Sequence, residues 1–174
     1  MDRDSVLETP RLILEPLFEK HAEMLFESLQ DENIYKYIEE EPPVDLAALK
    51  KRYKVLEKRV SPNGEEFWLN WAIKEKISKE YVGIIQATVY KDLHASLAYI
   101  ISPDFWKKGF TNESCIRILK LLLTDYKIHE VVANVDINNF SSQRVLEKLG
   151  FKKIKNDLYV GDYFYVLKAD NTYL

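Results

Sequence analysis

Pro103-Asp-Phe-Trp-Lys-Lys-Gly-Phe-Thr-Asn-Glu-Ser-Cys115 lies between an apolar run ending in Tyr99-Ile100-Ile101 and a helical pattern over residues 111–126. Its two lysines, one glycine and polar cap residues are the parts of an anion cradle. N–H groups at a helix start have no intrahelical acceptor, and the helix dipole adds partial positive charge there. Gly109 lets a ligand come close to the backbone. A phosphate or pyrophosphate is the expected guest. An ordinary basic turn before a helix would use the same residues, so this stretch alone leaves both readings open.

Working outward toward the C-terminus, strand and helix patterns alternate. A strand over 95–101 precedes the helix of 111–126, a strand over 130–136, a helix over 140–149 and a strand over 151–156. That order implies a crossover and local parallel pairing. A last strand runs from Leu158 to Lys168. Toward the N-terminus, Phe67, Leu69, Trp71 and Ile73 alternate with Trp68, Asn70, Ala72 and Lys74, which reads as a strand. A β-branched run over 82–90 follows the turn at 77–80, and with 95–101 these form an antiparallel meander. Earlier still come a strand over 11–17, helical spacing over 19–29, a short piece over 31–38 and a helix over 45–59 with Asp45 as N-cap. The expected fold is mixed α/β, with an antiparallel half, a parallel step and helices on both faces.

The 174 residues suit one domain, and an apolar share of 47% can fill one sizeable core. A net charge of −3 gives no electrostatic case for a nucleic-acid partner and is compatible with a cationic substrate. The single cysteine excludes an internal disulfide and fits a reducing compartment. No secretory signal or membrane-spanning run is visible, so the expectation is a cytoplasmic protein with no membrane partner. His21, His94 and His129 have no metal spacing, and Cys115, on the apolar stripe of its helix, reads as a core thiol. Glu39-Glu-Glu41 reads as a solvated loop or as a cation-attracting rim. Neither a Walker sequence nor Gly-x-Gly-x-x-Gly occurs.

A second motif is Asn138-Asn-Phe-Ser-Ser-Gln-Arg-Val-Leu-Glu-Lys-Leu-Gly-Phe151. Asn139 is a plausible N-cap accepting from Ser141 or Ser142, and Gly150 suits the left-handed position after a helix. Together the two motifs resemble the GNAT N-acetyltransferase superfamily, most closely its ribosomal-protein N-terminal acetyltransferase (RimJ/RimL-type) subgroup. Trp106, Lys108, Gly109 and Glu113 match that subgroup's pyrophosphate loop, and Phe110 matches by type. Asn139, Ser142 and the run Val145–Phe151 match its later signature. Glu8-Thr-Pro-Arg-Leu-Ile-Leu14 and Trp71-Ala-Ile73 are also similar. Lys107 stands where glycine is usual, Thr111 where Gly or Ala is usual, and Ser96 where a glutamate often serves as general base.

The resemblance implies a single N-acetyltransferase domain over residues 1–174 that moves the acetyl group of acetyl-CoA to a primary amine, on a protein N-terminus or a small molecule. The loop Lys107, Lys108, Gly109, Phe110, Thr111 and Asn112 would hold the pyrophosphate. Ile100 and Ile101 would pair with the pantetheine arm, and Asn139 would anchor its other side. Ser142 would protonate or hydrogen-bond the leaving sulfur, with Tyr159, Tyr163 and Tyr165 as alternatives. For the base, Glu39, Glu40, Glu41, Asp92, His94 and Asp162 are the groups to inspect. Exposed tyrosines on the last strand suggest a homodimer. A non-catalytic CoA-binding regulatory module of the same fold is the alternative.

Overall fold

Strand β3 (Phe67–Glu75) is an interior strand of the sheet, and its burial departs from the expected alternation. Every residue from Leu69 to Ile73 is buried, because both faces of the sheet are covered there. Leu69, Trp71 and Ile73 enter one core cluster, and Ala72 enters the other. Asn70 is buried as well. Its carbonyl accepts from Leu17 N–H at 2.9 Å and from Arg59 Nη1 at 3.1 Å, and its Nδ2 donates to Trp68 O at 2.9 Å. A buried amide needs such partners to offset its lost hydration.

The computed structural model describes residues 5–154 and 161–169. Around β3 the elements are β1 (Leu7–Glu8), β2 (Leu12–Pro16), α1 (His21–Leu25), α2 (Leu46–Leu56), β4 (Tyr81–Val89), β5 (His94–Ile101), α3 (Phe110–Thr124), β6 (Glu130–Asp136), α4 (Phe140–Lys148), β7 (Lys152–Ile154) and β8 (Asp162–Lys168). They form one eight-stranded sheet in the order β1-β2-β3-β4-β5-β6-β8-β7, parallel only between β5 and β6. One core cluster contains the buried side chains of α3 and α4, and the second contains those of α1 and α2. This is the mixed α/β architecture read from the sequence, with helices on both faces. Parts of the two final strands expected over 151–156 and from Leu158, and Tyr159 with them, lie outside the described residues.

Three expectations need correction. Residues 19–29 are not one helix: α1 ends at Leu25 and a 3₁₀ turn, Ser28–Gln30, follows. Ser28 Oγ donates to Leu25 O at 3.0 Å, a local bond that competes with the helical ladder. The helix expected to Arg59 stops at Leu56, since Arg59 takes φ 57° and its side chain turns inward to Asn70. Asp45 is its N-cap, accepting from Ala48 N–H at 2.7 Å. The strand expected over 11–17 is β2, Leu12–Pro16; Pro16 has no N–H, and the next bond to β3 comes from Leu17.

The parallel step is short. Only His94–Ser96 pair with Glu130–Val132. Beyond Ser96 the strands part, because each is held by its outer neighbour. β5 stays paired with β4 as far as Ile101, and β6 with β8 as far as Asp136. A wedge-shaped opening results between residues 97–101 and 133–136.

Candidate active site

The register of β4 and β5 decides which backbone groups face the opening. Tyr90 N–H bonds His94 O at 3.0 Å and Ser102 N–H bonds Val82 O at 2.9 Å, so the even-numbered residues of β5 bond to β4. Ile100 therefore spends its N–H and C=O on Ile84. Tyr99 and Ile101 direct theirs toward β6, which is no longer there to accept them. Of the two residues expected to pair with an extended ligand, Ile101 has the free edge, and Tyr99 shares it. Ile101 O accepts from Trp106 Nε1 at 2.7 Å, tying the loop to the strand end.

That loop is a 3₁₀ turn, Pro103–Phe105, followed by two residues in the left-handed region, Lys107 (φ 61°) and Gly109 (φ 81°). Gly109 is the N-cap of α3 and supplies no side-chain cap. The first intrahelical bond runs from Glu113 N–H to Gly109 O at 3.1 Å, which leaves the N–H groups of Phe110, Thr111 and Asn112 ahead of the ladder. Phe110 is buried in the core, so its side chain anchors the turn while its backbone serves the helix end. Lys107 and Lys108 are exposed, and Lys108 Nζ sits 4.5 Å from the Phe105 ring centroid.

Arg11, part of the Glu8–Leu14 resemblance but with no role assigned by it, braces the loop. Its Nη1 donates to Lys108 O at 2.9 Å, its Nε to Glu113 Oε2 at 2.7 Å and its backbone N–H to Glu113 Oε1 at 2.9 Å. Thr9 Oγ1 donates to Glu113 Oε1 at 2.6 Å. Burial would raise the Glu113 carboxyl, but these donors and the Arg11 charge outweigh it and hold the group below the usual carboxylate range. The Thr-Pro-Arg and Glu113 matches carried this signal, although their pairing across 102 residues was not legible from either alone.

A cavity of about 1260 Å³ joins the cradle to the opening. Ile100, Ile101, Lys107, Gly109, Thr111, Asn112, Asn139 and Ser142 all line it, while Lys108 and Phe110 do not. Asn139 caps α4 through Oδ1, which accepts from Ser142 N–H at 3.1 Å and leaves the Nδ2 amide for a ligand. Since Ser142 enters the cap through its backbone, its hydroxyl is not a cap. The Tyr99 hydroxyl is buried without a well-formed hydrogen bond, and the Ser142 side chain is close enough to act on it. Burial pushes the phenol up, so it stays protonated. Tyr99 was missed because its strand position gave no polar signal. Cations on the two helices line the same cavity: Arg117 and Lys120 on α3, Arg144 and Lys148 on α4. Their i,i+3 and i,i+4 spacings were the sequence signal for them.

Burial pushes the Cys115 thiol up, which leaves it an inert core group. The Asp162 carboxyl is raised by burial and then by Asp136 and Glu39. Among the described residues no group of three or more His, Cys, Asp or Glu could hold a metal ion, and no helix is long and apolar enough to cross a membrane.

Residues 11–152 match the family model described as an acetyltransferase (GNAT) domain. The uncharacterized N-acetyltransferase YoaA of Bacillus subtilis is 26% identical over 150 residues, covering 85% of this chain and 83% of the relative. A GNAT-family acetyltransferase from Bacillus anthracis superposes with a TM-score of 0.76 at 21% identity, over 94% of this chain and 98% of that one. A proposed ribosomal-protein-serine acetyltransferase from Vibrio cholerae superposes with a TM-score of 0.79 at 15% identity, over 97% and 100% of the two chains.

Proposed function

The chain belongs to the GNAT acetyltransferase family, and from that membership we propose that it moves the acetyl group of acetyl-CoA to a primary amine. The observation that carries this reading is the continuity of one cavity from the α3 N-terminus to the opening beside Ile101. The donor set fits a pyrophosphate attached to an extended, amide-bearing arm. The α3 amides and Lys107 would take the pyrophosphate. The Arg117, Lys120, Arg144 and Lys148 cations would take further phosphate charge. Tyr99 and Ile101 would pair with the arm as a strand edge pairs with a peptide, and Asn139 Nδ2 would hold its other side.

The chemistry asks three things of the residues. A donor must meet the carbonyl oxygen as it gains charge, and the N–H of Ile101 or Tyr99 on the free edge is placed to do so. The departing sulfur needs a hydrogen-bond donor. Ser142 has that role, with Tyr99 behind it as a permanently protonated neighbour. The amine must shed a proton before attack. The motif resemblance to the RimJ/RimL-type subgroup supports a protein N-terminus as acceptor over a small-molecule amine, and one structural neighbour is described as a ribosomal-protein-serine acetyltransferase. Residues 1–174 are taken as a single cytoplasmic N-acetyltransferase domain.

One observation favours a second reading, a CoA-binding module without turnover. Ser96, at the base of the opening, offers no carboxylate. Calorimetric titration with acetyl-CoA, with ATP as control, tests the cofactor in both readings. Release of CoA thiol in the presence of N-terminal peptides and polyamines separates them. Binding with release supports transfer; binding without release supports the module; no binding overturns both.

A further inference from the structure

A second cavity, of about 760 Å³, adjoins the first, and Leu97, Ala98, Ala133 and Asn134 line both. It therefore opens onto the place where the strands part. His94 and Ser96 line it too. Being two residues apart on β5, they leave the same face of the sheet, roughly 6–7 Å apart along the strand. Asp92 Oδ1 lies 2.5 Å from His94 Nδ1, and the Tyr90 ring stacks on the imidazole at 4.2 Å with a 13° interplanar angle. An ionised carboxylate can only accept, so Nδ1 carries the proton and Nε2 keeps its electron pair. Nε2 has no hydrogen-bond partner among the described residues.

We propose that His94, oriented by Asp92 and Tyr90, is the proton acceptor for the incoming amine, reached through water in this second cavity. The proposal rests on the acetyl-transfer reading. The ammonium N–H bond breaks and its proton passes to His94 Nε2. The freed electron pair attacks the thioester carbonyl carbon, and the C–S bond breaks. The second amine proton passes to the sulfur by way of Ser142. The half-exposed imidazolium then returns its proton to solvent, so ammonium and thioester become amide, thiol and one released proton.

The titratable and charged groups near the imidazole come from its own hairpin, from β6 and the residue before it, and from β8. Asp92 lies on its own hairpin. On β6, Glu130 is its register partner, with His129 lining the same cavity. Lys168 of β8 stands beyond Glu130 as that residue's partner. Asp92 is a positioning residue in this scheme.

The test follows thiol release from acetyl-CoA with N-terminal peptides and polyamines between pH 6 and 10, with acetyl-CoA affinity measured by calorimetry. His94→Gln is expected to lower the acceptor kcat/KM about 100-fold near pH 7. Its acetyl-CoA affinity should not change. The deficit should close toward pH 10, where solution already supplies free amine. Asp92→Asn should show the same pH-dependent form with a smaller loss. A His94→Gln profile parallel to that of the wild type at all pH values overturns the proposal, as does full activity in both variants. Wild-type protein that binds acetyl-CoA but releases no thiol overturns the transfer reading and His94's role together. Wild-type protein that does not bind acetyl-CoA overturns the cofactor assignment as well.

Discussion

Lys107 holds a backbone conformation that glycine adopts without cost, at φ 61°. A left-handed L-residue is strained by roughly 1–2 kcal/mol. Lys107→Gly recovers most of that, less the extra chain entropy of glycine, so a gain of about 0.5–1 kcal/mol is expected in urea denaturation. If the lysine charge helps to hold a pyrophosphate, the same variant binds acetyl-CoA more weakly while being more stable, and calorimetry would register both. Gly109 stands in the same region at φ 81°, where an added Cβ would lie 3.4 Å from Arg11 Nη2. Gly109→Asp brings strain and a like charge to the cradle, and loss of acetyl-CoA binding in a folded variant is the expected result. Ser142→Ala removes a hydroxyl that is not part of the α4 cap. Its melting temperature should stay within a degree or two of wild type, with kcat falling and acetyl-CoA affinity retained.

At the scale of elements, the N-terminal hairpin acts as a brace for a loop about a hundred residues away. Arg11 grips Glu113 and Lys108 O together, so the loop geometry depends on β2 as much as on α3. Arg11→Ala removes the guanidinium donors to Glu113 Oε2 and Lys108 O but leaves the Thr9 hydroxyl and the residue-11 backbone N–H on Oε1, a loss of about 1–3 kcal/mol. Acetyl-CoA affinity should fall with it, whereas Arg11→Lys, lacking the forked donor, should recover only part. Strands β4 and β5 depend on a different kind of fit. A Cβ on Gly83 would come within 2.1 Å of Ile100 O. Gly83→Ala must therefore push apart the two strands that align Tyr99 and Ile101, and reduced acetyl-CoA affinity alongside a lowered melting temperature is the measurable outcome.

Across the whole molecule, one buried histidine fixes a pH limit. His21 is fully buried; its Nδ1 accepts from Phe18 N–H at 2.9 Å, and its Nε2 faces Glu15 Oε2 at 3.2 Å. Burial lowers its pKa, against the opposing pull of Glu15. The unfolded chain takes up a proton near pH 6.5 that the folded chain still refuses. Stability is therefore full above that pH and declines as pH falls below it. The slope approaches about 1.4 kcal/mol per pH unit for one proton, and His21→Gln should flatten it in denaturation curves taken from pH 7.5 to 5. The architecture is largely legible in the sequence, because strand period, helix period and the Asn139–Phe151 signature agree. What remained hidden depended on distant pairing. The two-sided burial of Asn70 needs Leu17 and Arg59, the brace needs Arg11 to meet Glu113, and the parting of the strands arises from register.

That parting also has a mechanical consequence. Two halves of the sheet, β1 to β5 and β6 to β8, are stitched by three rungs. The seam is where the fold is softest, and an extended guest laid along Ile101 would act as the missing stitches. Amide hydrogen exchange should show β6 and β8 opening at a lower free energy than β3 and β4, and acetyl-CoA should close that gap by slowing exchange on both sides of the seam.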